Sequence, residues 1–267
     1  MIPDEFNPEK LKAAIERGGV GDLRFACNFA DRIVTAVIKA KHEETLNDGF
    51  QAFRARNDYI EDTESNPGYV NFYALSGKDI CAPPKEKVSL GRFNARHEPV
   101  LYLSTTREVA LAETRALSTG TCTVGAFRTI RPLRIAQLLQ HNKESFALFL
   151  SEKPSDDDRE KWLLARTAEF VSRRVPDQDR DLHYRVCNLI GSAFRESGFD
   201  GLAYRTSFWS NGWREDGRSP DEDHIFASNI VLFDPEAAIP KSAALYQIEW
   251  KRPIAQGENS GAWVAKS

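Results

Sequence analysis

Apolar residues recur at intervals of three and four positions through the first part of the chain. Phe25, Phe29 and Ile33 fall on one face of a helix that turns about 100° per residue. Gly49 follows this stretch as a residue that commonly ends a helix. The pattern predicts that residues 8–48 are helical, so that residues 1–48 form an N-terminal helical extension.

After this stretch the apolar residues occur in short continuous or alternating runs, which are typical of strands. The predicted strands are 50–56, 100–104, 121–130, 133–138, 201–207, 228–233 and 243–250. Helical spacing returns at 105–117 and 181–197, and residues 143–173 are expected to form two helices around Lys153–Ser155, the second beginning with the acidic cluster Asp156–Asp158. Residues 57–90 are expected to be irregular.

Strands outnumber helices in the centre of the chain and do not alternate regularly with them. This order predicts an α+β fold with mixed or antiparallel central sheets, in contrast to a doubly wound fold. Residues 49–252 are expected to form the main domain, and residues 253–267 a flexible tail.

One helix carries an acidic residue where an apolar one is expected. On a helical wheel, Glu113 lies inside the apolar arc, between Val109 and Leu117. A carboxylate that faces a protein interior is costly unless another group pairs with it. Glu113 is therefore a candidate functional residue, and Arg92, in the preceding turn, is a candidate partner.

Charge and composition exclude several classes of protein. The chain of 267 residues has a formal net charge of −3, whereas a large nucleic-acid interface needs an excess of basic residues. Apolar runs stay well short of the roughly 18 residues of a membrane span. The N-terminus lacks the pattern of a secretory signal, so a cytoplasmic location is expected. The four cysteines and five histidines show no CxxC or HExxH spacing, and no metal site is predicted.

Two arginines lie on the first strand of the main domain. Arg54 and Arg56 are separated by one residue, so both side chains project from the same face of the strand. Two such arginines can bind phosphate groups. The alternative is that they form an ordinary solvated face, and the strand pattern does not decide between these interpretations.

Several motifs, taken in order, resemble the RES domain family, which is named for its arginine, glutamate and serine. The segments that carry the resemblance are Phe53–Arg56, Gly91–Asn94, Leu101–Ser104, Ala110–Glu113, Gly198–Ser207 and Ser228–Phe233. Together they extend over about residues 50–250.

The resemblance implies both a fold and an activity. Characterised RES members are toxins of toxin–antitoxin pairs, resemble ADP-ribosyltransferases in fold and consume NAD+. The expected reaction is cleavage of the nicotinamide–ribose bond by hydrolysis or phosphorolysis, with transfer of ADP-ribose to a protein as the alternative. NAD+ would be the substrate, so neither a further cofactor nor a metal is expected. A cognate antitoxin is the expected protein partner, and the oligomeric state is left open.

The resemblance also assigns roles to individual residues. Glu113 would stabilise the positive charge that develops on the ribose when the bond breaks. The remaining residues would bind the substrate: arginines the pyrophosphate, Tyr102 a planar ring by stacking, and hydroxyl and amide groups the carboxamide or ribose. These binding residues are Arg54, Arg56, Arg92, Asn94, Tyr102, Thr206 and Ser207. Of these, Arg54, Arg92, Tyr102 and Ser207 are, together with Glu113, the expected catalytic residues. Either Thr206 or Ser207 corresponds to the serine of the family, and both are retained.

Two other interpretations remain. Arg92 and His97 have the Arg-x4-His spacing of HEPN-type ribonucleases, a motif that belongs in a helical region. Pro99 and a strand follow this pair immediately, which disfavours that assignment. The second alternative is a non-catalytic RES-like binding protein, in which Glu113 pairs with an arginine in the core.

Overall fold

The computed structural model describes residues 7–64, 70–114, 119–139, 155–206, 228–250 and 263–266. Five α-helices lie within these ranges: α1 (Glu9–Arg17), α2 (Val20–Ala40), α3 (Arg107–Glu113), α4 (Asp156–Ser172) and α5 (Arg180–Glu196). The first strands in the same ranges are β1 (Glu43–Leu46), β2 (Gln51–Arg56), β3 (Ile60–Asp62), β4 (Asn71–Tyr73), β5 (Leu101–Ser104) and β6 (Thr119–Thr129). The later strands are β7 (Leu133–Leu138), β8 (Gly201–Arg205), β9 (Ser228–Leu232), β10 (Ala238–Trp250) and β11 (Trp263–Lys266).

Nine of these strands form one sheet, in the order β1-β7-β8-β9-β5-β2-β6-β10-β11. The neighbours β7 and β8 are parallel, and the other neighbouring pairs are antiparallel. Strands β3 and β4 form a separate antiparallel hairpin. The predicted α+β class, with a mixed and mainly antiparallel sheet preceded by helices, is confirmed.

The N-terminal helical segment is shorter than predicted. Helix α2 ends at Ala40, where Lys41 takes a left-handed conformation with φ of 55°. Residues 43–46, predicted to be helical, instead form β1 and pair with β7 at the edge of the sheet. The helical spacing of apolar residues ends at Ile38, so the sequence beyond it gives no apolar face to a continued helix.

Alternate residues of the central strands face two different cores. Val231 packs among the helices, whereas its neighbours Ile230 and Leu232 pack on the other face of the sheet. Helices α1, α2, α4 and α5 share the first core, with Leu11, Ile33, Leu163, Val171, Ile190 and Phe194 among its buried side chains. Residues 1–48 were predicted to be an extension, yet their helices contribute directly to this core.

The acidic cluster Asp156–Asp158 lies in the first turn of α4, where negative charges favour the helix dipole. The Ser155 hydroxyl accepts a hydrogen bond from the backbone N–H of Asp158, and the Asp158 carboxylate accepts one from the backbone N–H of Ser155. The helix predicted here from the acidic cluster onward is confirmed, as is the helix at 181–197, observed at 180–196. The earlier helix predicted at 143–153 lies outside the described residues.

Two further regions differ in detail from the sequence predictions. The irregular segment at 57–90 contains the β3–β4 hairpin and two short 3-10 turns. Within the range predicted to be a flexible tail, Trp263–Lys266 pairs with β10. The helices in the described part of the chain are too short or too polar to cross a membrane.

Candidate active site

A cleft of about 260 Å³ opens beside α3, where β2, β5, β8 and β9 come together. The residues that line it include Phe53, Arg54, Tyr102, Glu113, Tyr204 and Asn229. The five elements that form it are spread over the chain, from β2 at residue 51 to β9 at residue 232. The cleft brings together the predicted catalytic carboxylate and one of the predicted phosphate-binding arginines.

Glu113 is the last residue of α3, and its carboxylate points into the cleft. The helix begins at Thr106, whose hydroxyl accepts a hydrogen bond from the backbone N–H of Val109 at 3.2 Å. Val109 through Ala112 are all buried, including Leu111, which the helical wheel had placed on the polar side. A short helix buried on most of its surface therefore ends in a partly buried carboxylate.

Two side chains hold one oxygen of this carboxylate. Glu113 Oε1 accepts a hydrogen bond from Thr206 Oγ1 at 2.6 Å and another from Asn229 Nδ2 at 2.6 Å. Hydrogen bonds to a charged acceptor are short and strong. The carboxylate that sequence analysis identified as anomalous is thus paired, but with neutral donors and not with an arginine.

One of the two candidate hydroxyl residues, Thr206, lies within the described residues. Thr206 directly follows β8, is buried, and donates to Glu113 through its hydroxyl. Ser207 lies outside the described residues. The choice between Thr206 and Ser207, and the contact of either with the substrate, stays a prediction.

Arg54 supplies positive charge to the same cleft. Strands β2 and β5 pair at Phe53 and Ser104, and the Arg54 guanidinium donates to the backbone carbonyl of Tyr102 at 2.9 Å. Burial, together with repulsion from Arg56, lowers the Arg54 pKa to about 10. Arg54 therefore remains cationic at neutral pH in a partly desolvated position.

Arg56 lies farther along the same strand and has a different partner. Its guanidinium donates to the backbone carbonyl of Cys81 at 2.5 Å. This bond ties the segment that precedes the Gly91 turn to the sheet. Arg56 does not line the cleft, although its charge contributes to the lowered pKa of Arg54.

Tyr102 and Asn94 together fix the turn that begins at Gly91. The Tyr102 hydroxyl accepts a hydrogen bond from the backbone N–H of Phe93 at 2.7 Å and donates one to Asn94 Oδ1 at 3.0 Å. A Cβ atom at Gly91 would lie 2.9 Å from the same hydroxyl and would overlap the Asn94 side chain, so this close approach requires glycine. Burial raises the pKa of Tyr102, which keeps its hydroxyl protonated.

These contacts give Tyr102 and Asn94 structural partners. The Asn94 amide donates to the backbone carbonyls of Ser89 and Ala95, both at 2.9 Å. Tyr102 still lines the cleft beside Glu113. Asn94 is buried within the turn, so its predicted contact with substrate stays a prediction.

Arg92 lies behind the cleft and not on its lining. Its guanidinium donates to the backbone carbonyls of Val171 and Arg173 at the end of α4, a position where a cation also favours the helix dipole. The charge lies 5.7 Å from the ring centres of both Tyr184 and Tyr204. Tyr204 lines the cleft, so Arg92 contacts the site through this aromatic ring.

Sequence analysis did not single out two polar residues that support the site. Asn229 and Ser104 are both buried, and the Ser104 hydroxyl donates to Asn229 Oδ1 at 3.0 Å. The sequence gives a weak signal for both, because Ser104 directly follows the run Leu101–Leu103 and Asn229 directly precedes the apolar run Ile230–Leu232. Their pairing across β5 and β9 could not be read from the sequence.

The Arg-x4-His interpretation does not fit the geometry. His97 lies in an exposed turn with φ of 65°, and its Nδ1 is 3.2 Å from the backbone carbonyl of Lys85. Arg92 is directed toward the end of α4. The two residues therefore do not form a helical catalytic pair. The described residues contain no group of three or more side chains arranged to hold a metal.

The fold and cleft define an α+β protein with a carboxylate supported by neutral donors and a buried arginine nearby. A family model described as the RES domain matches residues 65–251. The chain belongs to the RES domain family. The matched range contains Glu113, Thr206 and Asn229, whereas Arg54 precedes it.

Comparison with individual proteins adds a similarity to a solved structure. No curated protein matches the chain. A chain of the M. tuberculosis MbcT–MbcA toxin–antitoxin complex is 10% identical, with the alignment covering 80% of this chain and 91% of that chain at a TM-score of 0.38.

Proposed function

We propose that this protein is a toxin that consumes NAD+ by cleaving the bond between nicotinamide and ribose. The observation that carries the proposal is the presence, in one cleft, of the Glu113 carboxylate and the buried cationic Arg54. NAD+ carries a positive nicotinamide–ribosyl group next to a negative pyrophosphate. The first can pair with the Glu113 carboxylate and the second with the Arg54 guanidinium. Membership of the RES domain family supports the same function.

The reaction requires stabilisation of charge more than transfer of protons. When the C–N bond breaks, its electron pair moves to the nicotinamide nitrogen, and nicotinamide leaves as a neutral molecule. Positive charge then develops on the ribose, as in glycoside hydrolysis. A fixed carboxylate near that ribose lowers the barrier because it is already oriented toward the developing charge. Glu113, held by Thr206 and Asn229, is suited to this role.

Arg54 is suited to bind the pyrophosphate. Within the described residues no carboxylate pairs with its guanidinium, and its Nε has no hydrogen-bond partner. A guanidinium can bind phosphate oxygens through two parallel hydrogen bonds. Binding of an anion would neutralise a charge that burial otherwise makes unfavourable.

The nucleophile that attacks the ribose decides the class of enzyme. Water yields ADP-ribose, phosphate yields its phosphorylated derivative, and a protein side chain yields an ADP-ribosylated target. We expect the glycohydrolase or phosphorylase reaction, with protein ADP-ribosylation as the alternative. Mass spectrometry of the products, with and without added phosphate, distinguishes the three.

The first prediction concerns Glu113. The Glu113→Gln variant keeps the shape of the side chain but removes its charge, so nicotinamide release should fall about 10²- to 10³-fold. Chromatographic measurement of nicotinamide from purified protein and NAD+ checks this. The matched control is Glu108→Gln, which alters an exposed carboxylate on the same helix and should leave the rate unchanged.

Two results would contradict the proposal. Folded wild-type protein that leaves NAD+ intact, with and without phosphate, would exclude the reaction. Equal activity of wild type and Glu113→Gln would exclude the assigned role of the carboxylate. Expression of both forms in bacterial cells tests the toxin role, because only the wild type should deplete cytoplasmic NAD+ and arrest growth. Relief of that arrest by a co-expressed neighbouring gene product would identify the expected antitoxin.

A further inference from the structure

Three strands place a line of buried polar side chains against Glu113. Ser104 ends β5 and is paired with Asn229 of β9, while Tyr204 of β8 is paired with Asn229 on the other side. Thr206 follows β8 directly. Ser104, Asn229 and Thr206 are each at most 4% exposed, so their hydrogen bonds are protected from competition with water.

The hydrogen bonds in this line have one direction. A carboxylate accepts hydrogen bonds, so the Asn229 group that faces Glu113 must be its NH₂. The amide oxygen then faces Ser104, whose hydroxyl donates to it. The carboxylate, which can only accept, therefore fixes the orientation of the amide, and Ser104 supplies the donor that satisfies the amide oxygen.

We propose that Asn229 is the positioning residue of Glu113, and that Ser104 supports Asn229 by donating to its amide oxygen. Together they hold the carboxylate in place and directed into the cleft. The amide is neutral, so it stabilises the charge without cancelling it. An arginine partner would cancel the charge. This inference gives a role to a residue outside the predicted site and rests on the proposed function only for its effect on NAD+ cleavage.

Other charged and titratable groups surround Glu113. Tyr204 on β8 and Arg92 in the turn interact with the carboxylate electrostatically. Arg54 on β2 and Tyr102 on β5 line the same cleft, and Glu108 lies in the exposed first turn of α3. A titration of Glu113 in an Asn229 variant is therefore compared with that in a control variant in which all of these groups are also present.

The test is a titration of the Glu113 side-chain carboxyl by ¹³C NMR, with its signal assigned by its loss in Glu113→Gln. In Asn229→Ala, the midpoint should rise, because the charged form loses a hydrogen-bond donor. In Ser104→Ala it should rise by a smaller amount. Asn57→Ala is the matched control: the Asn57 amide donates to the backbone carbonyl of Thr114, beside Glu113, and not to the carboxylate. It should leave the midpoint unchanged.

A second measurement leaves Asn229 unchanged, because this residue is buried in a central strand and its variants can fail to fold. The ¹⁵N and ¹H signals of the Asn229 side-chain amide should shift with pH at the same midpoint as the Glu113 carboxyl. This shift should vanish in Glu113→Gln. An Asn229 amide that does not follow Glu113, or an unchanged midpoint in folded Asn229→Ala, overturns the inference.

Enzyme kinetics distinguish this inference from the proposed function. If wild-type protein cleaves NAD+, the acid limb of kcat/KM in Asn229→Ala should move to higher pH by the same amount as the NMR midpoint. A residue that merely packs the sheet would lower thermal stability without moving that limb. If wild-type protein leaves NAD+ intact, the proposed function fails, while the NMR titrations still decide whether Asn229 positions Glu113.

Discussion

Arg54 illustrates a conflict between stability and binding at the scale of one residue. Its lowered pKa means that the folded protein holds this charge at a cost below about pH 10, and the cost disappears as the group loses its proton at higher pH. The Arg54→Gln variant should therefore be as stable as wild type at neutral pH, or more stable. Its KM for NAD+ should rise at least about 10-fold, because a charged hydrogen bond to phosphate is lost.

Thermal unfolding and steady-state kinetics check this pair of effects. Arg128→Gln is the control, since Arg128 is an exposed arginine on the adjacent strand β6 and should change neither quantity. A strong loss of stability in Arg54→Gln, with KM unchanged, would show that Arg54 supports the fold and does not bind the substrate.

Individual residues of the site were predicted from the sequence to different extents. Glu113 could be found because a carboxylate among apolar helix positions is unusual, and Arg54 because the strand pattern placed it beside a second arginine. The position of Arg92 could not be predicted, because its partners are backbone carbonyls near residues 171–173. Every residue has a backbone carbonyl, so the sequence does not indicate which carbonyls bind Arg92.

The contact between helices α4 and α5 contains a histidine that should make the protein sensitive to acid. His183 is fully buried and stacks on Phe170, with ring centres 4.2 Å apart. Neither ring nitrogen has a hydrogen-bond partner in the described part of the chain. Burial, reinforced by Arg92, Arg173 and Lys12, lowers the His183 pKa from 6.5 to about 3.

This shift predicts the direction of the pH dependence. The unfolded chain binds a proton at His183 below about pH 6.5, whereas the folded protein does so only near pH 3, so stability falls as pH falls through this window. At pH 5 the loss should be about 2 kcal/mol. His183→Phe keeps a ring against Phe170 and should remove this part of the loss.

Urea unfolding of the wild type and His183→Phe at pH 7 and pH 5 measures the difference. His97→Asn serves as control, because it removes an exposed histidine and Asn tolerates the positive φ at that position. Equal losses of stability on acidification in wild type and His183→Phe would contradict the assignment.

Local sequence patterns predict most of the helices and strands, but they fail for β1, which lies at one edge of the sheet. The capping box at Ser155 and Asp158 is a local feature, and α4 begins where it indicates. Strand β1 has no such signal, since it is held in place by pairing with β7, about ninety residues later in the chain. Its short polar sequence looks like the continuation of a helix until that partner is known.

For the whole molecule, the N-terminal helices should unfold together with the rest. Ile33 on α2 is fully buried in the core shared with α4 and α5. Ile33→Ala should lower the free energy of unfolding by about 2–5 kcal/mol. Because one core is involved, far-UV circular dichroism and tryptophan fluorescence should still report a single coincident transition.

The comparison variant is Leu23→Ala on the same helix, where the side chain is 47% exposed. It should change stability by no more than about 0.5 kcal/mol. Two separate transitions in Ile33→Ala would support the domain boundary predicted at residue 48, with the extension folding by itself.

The order of the strands in the sheet could not be predicted from the sequence. Periodicity predicts that strands exist, and their irregular alternation with helices predicts the α+β class. It does not predict that β9 lies between β5 and β8, because the pairing of β9 with β5 joins residues more than a hundred positions apart. The cleft depends on this order, and therefore the way its residues come together had to be observed.

The same arrangement has a consequence for how the protein is made. Glu113 and Asn229 are 116 residues apart in the chain, and Ser104 and Asn229 are 125 apart. A ribosome must therefore synthesise β9 before the glutamate can acquire its amide partner. Until then the nascent polypeptide carries the reactive carboxylate without its support, so a growing chain of this proposed toxin would be harmless to the cell that translates it. Activity would arise only after β9 has been synthesised, when an inhibitor made beforehand could already be present.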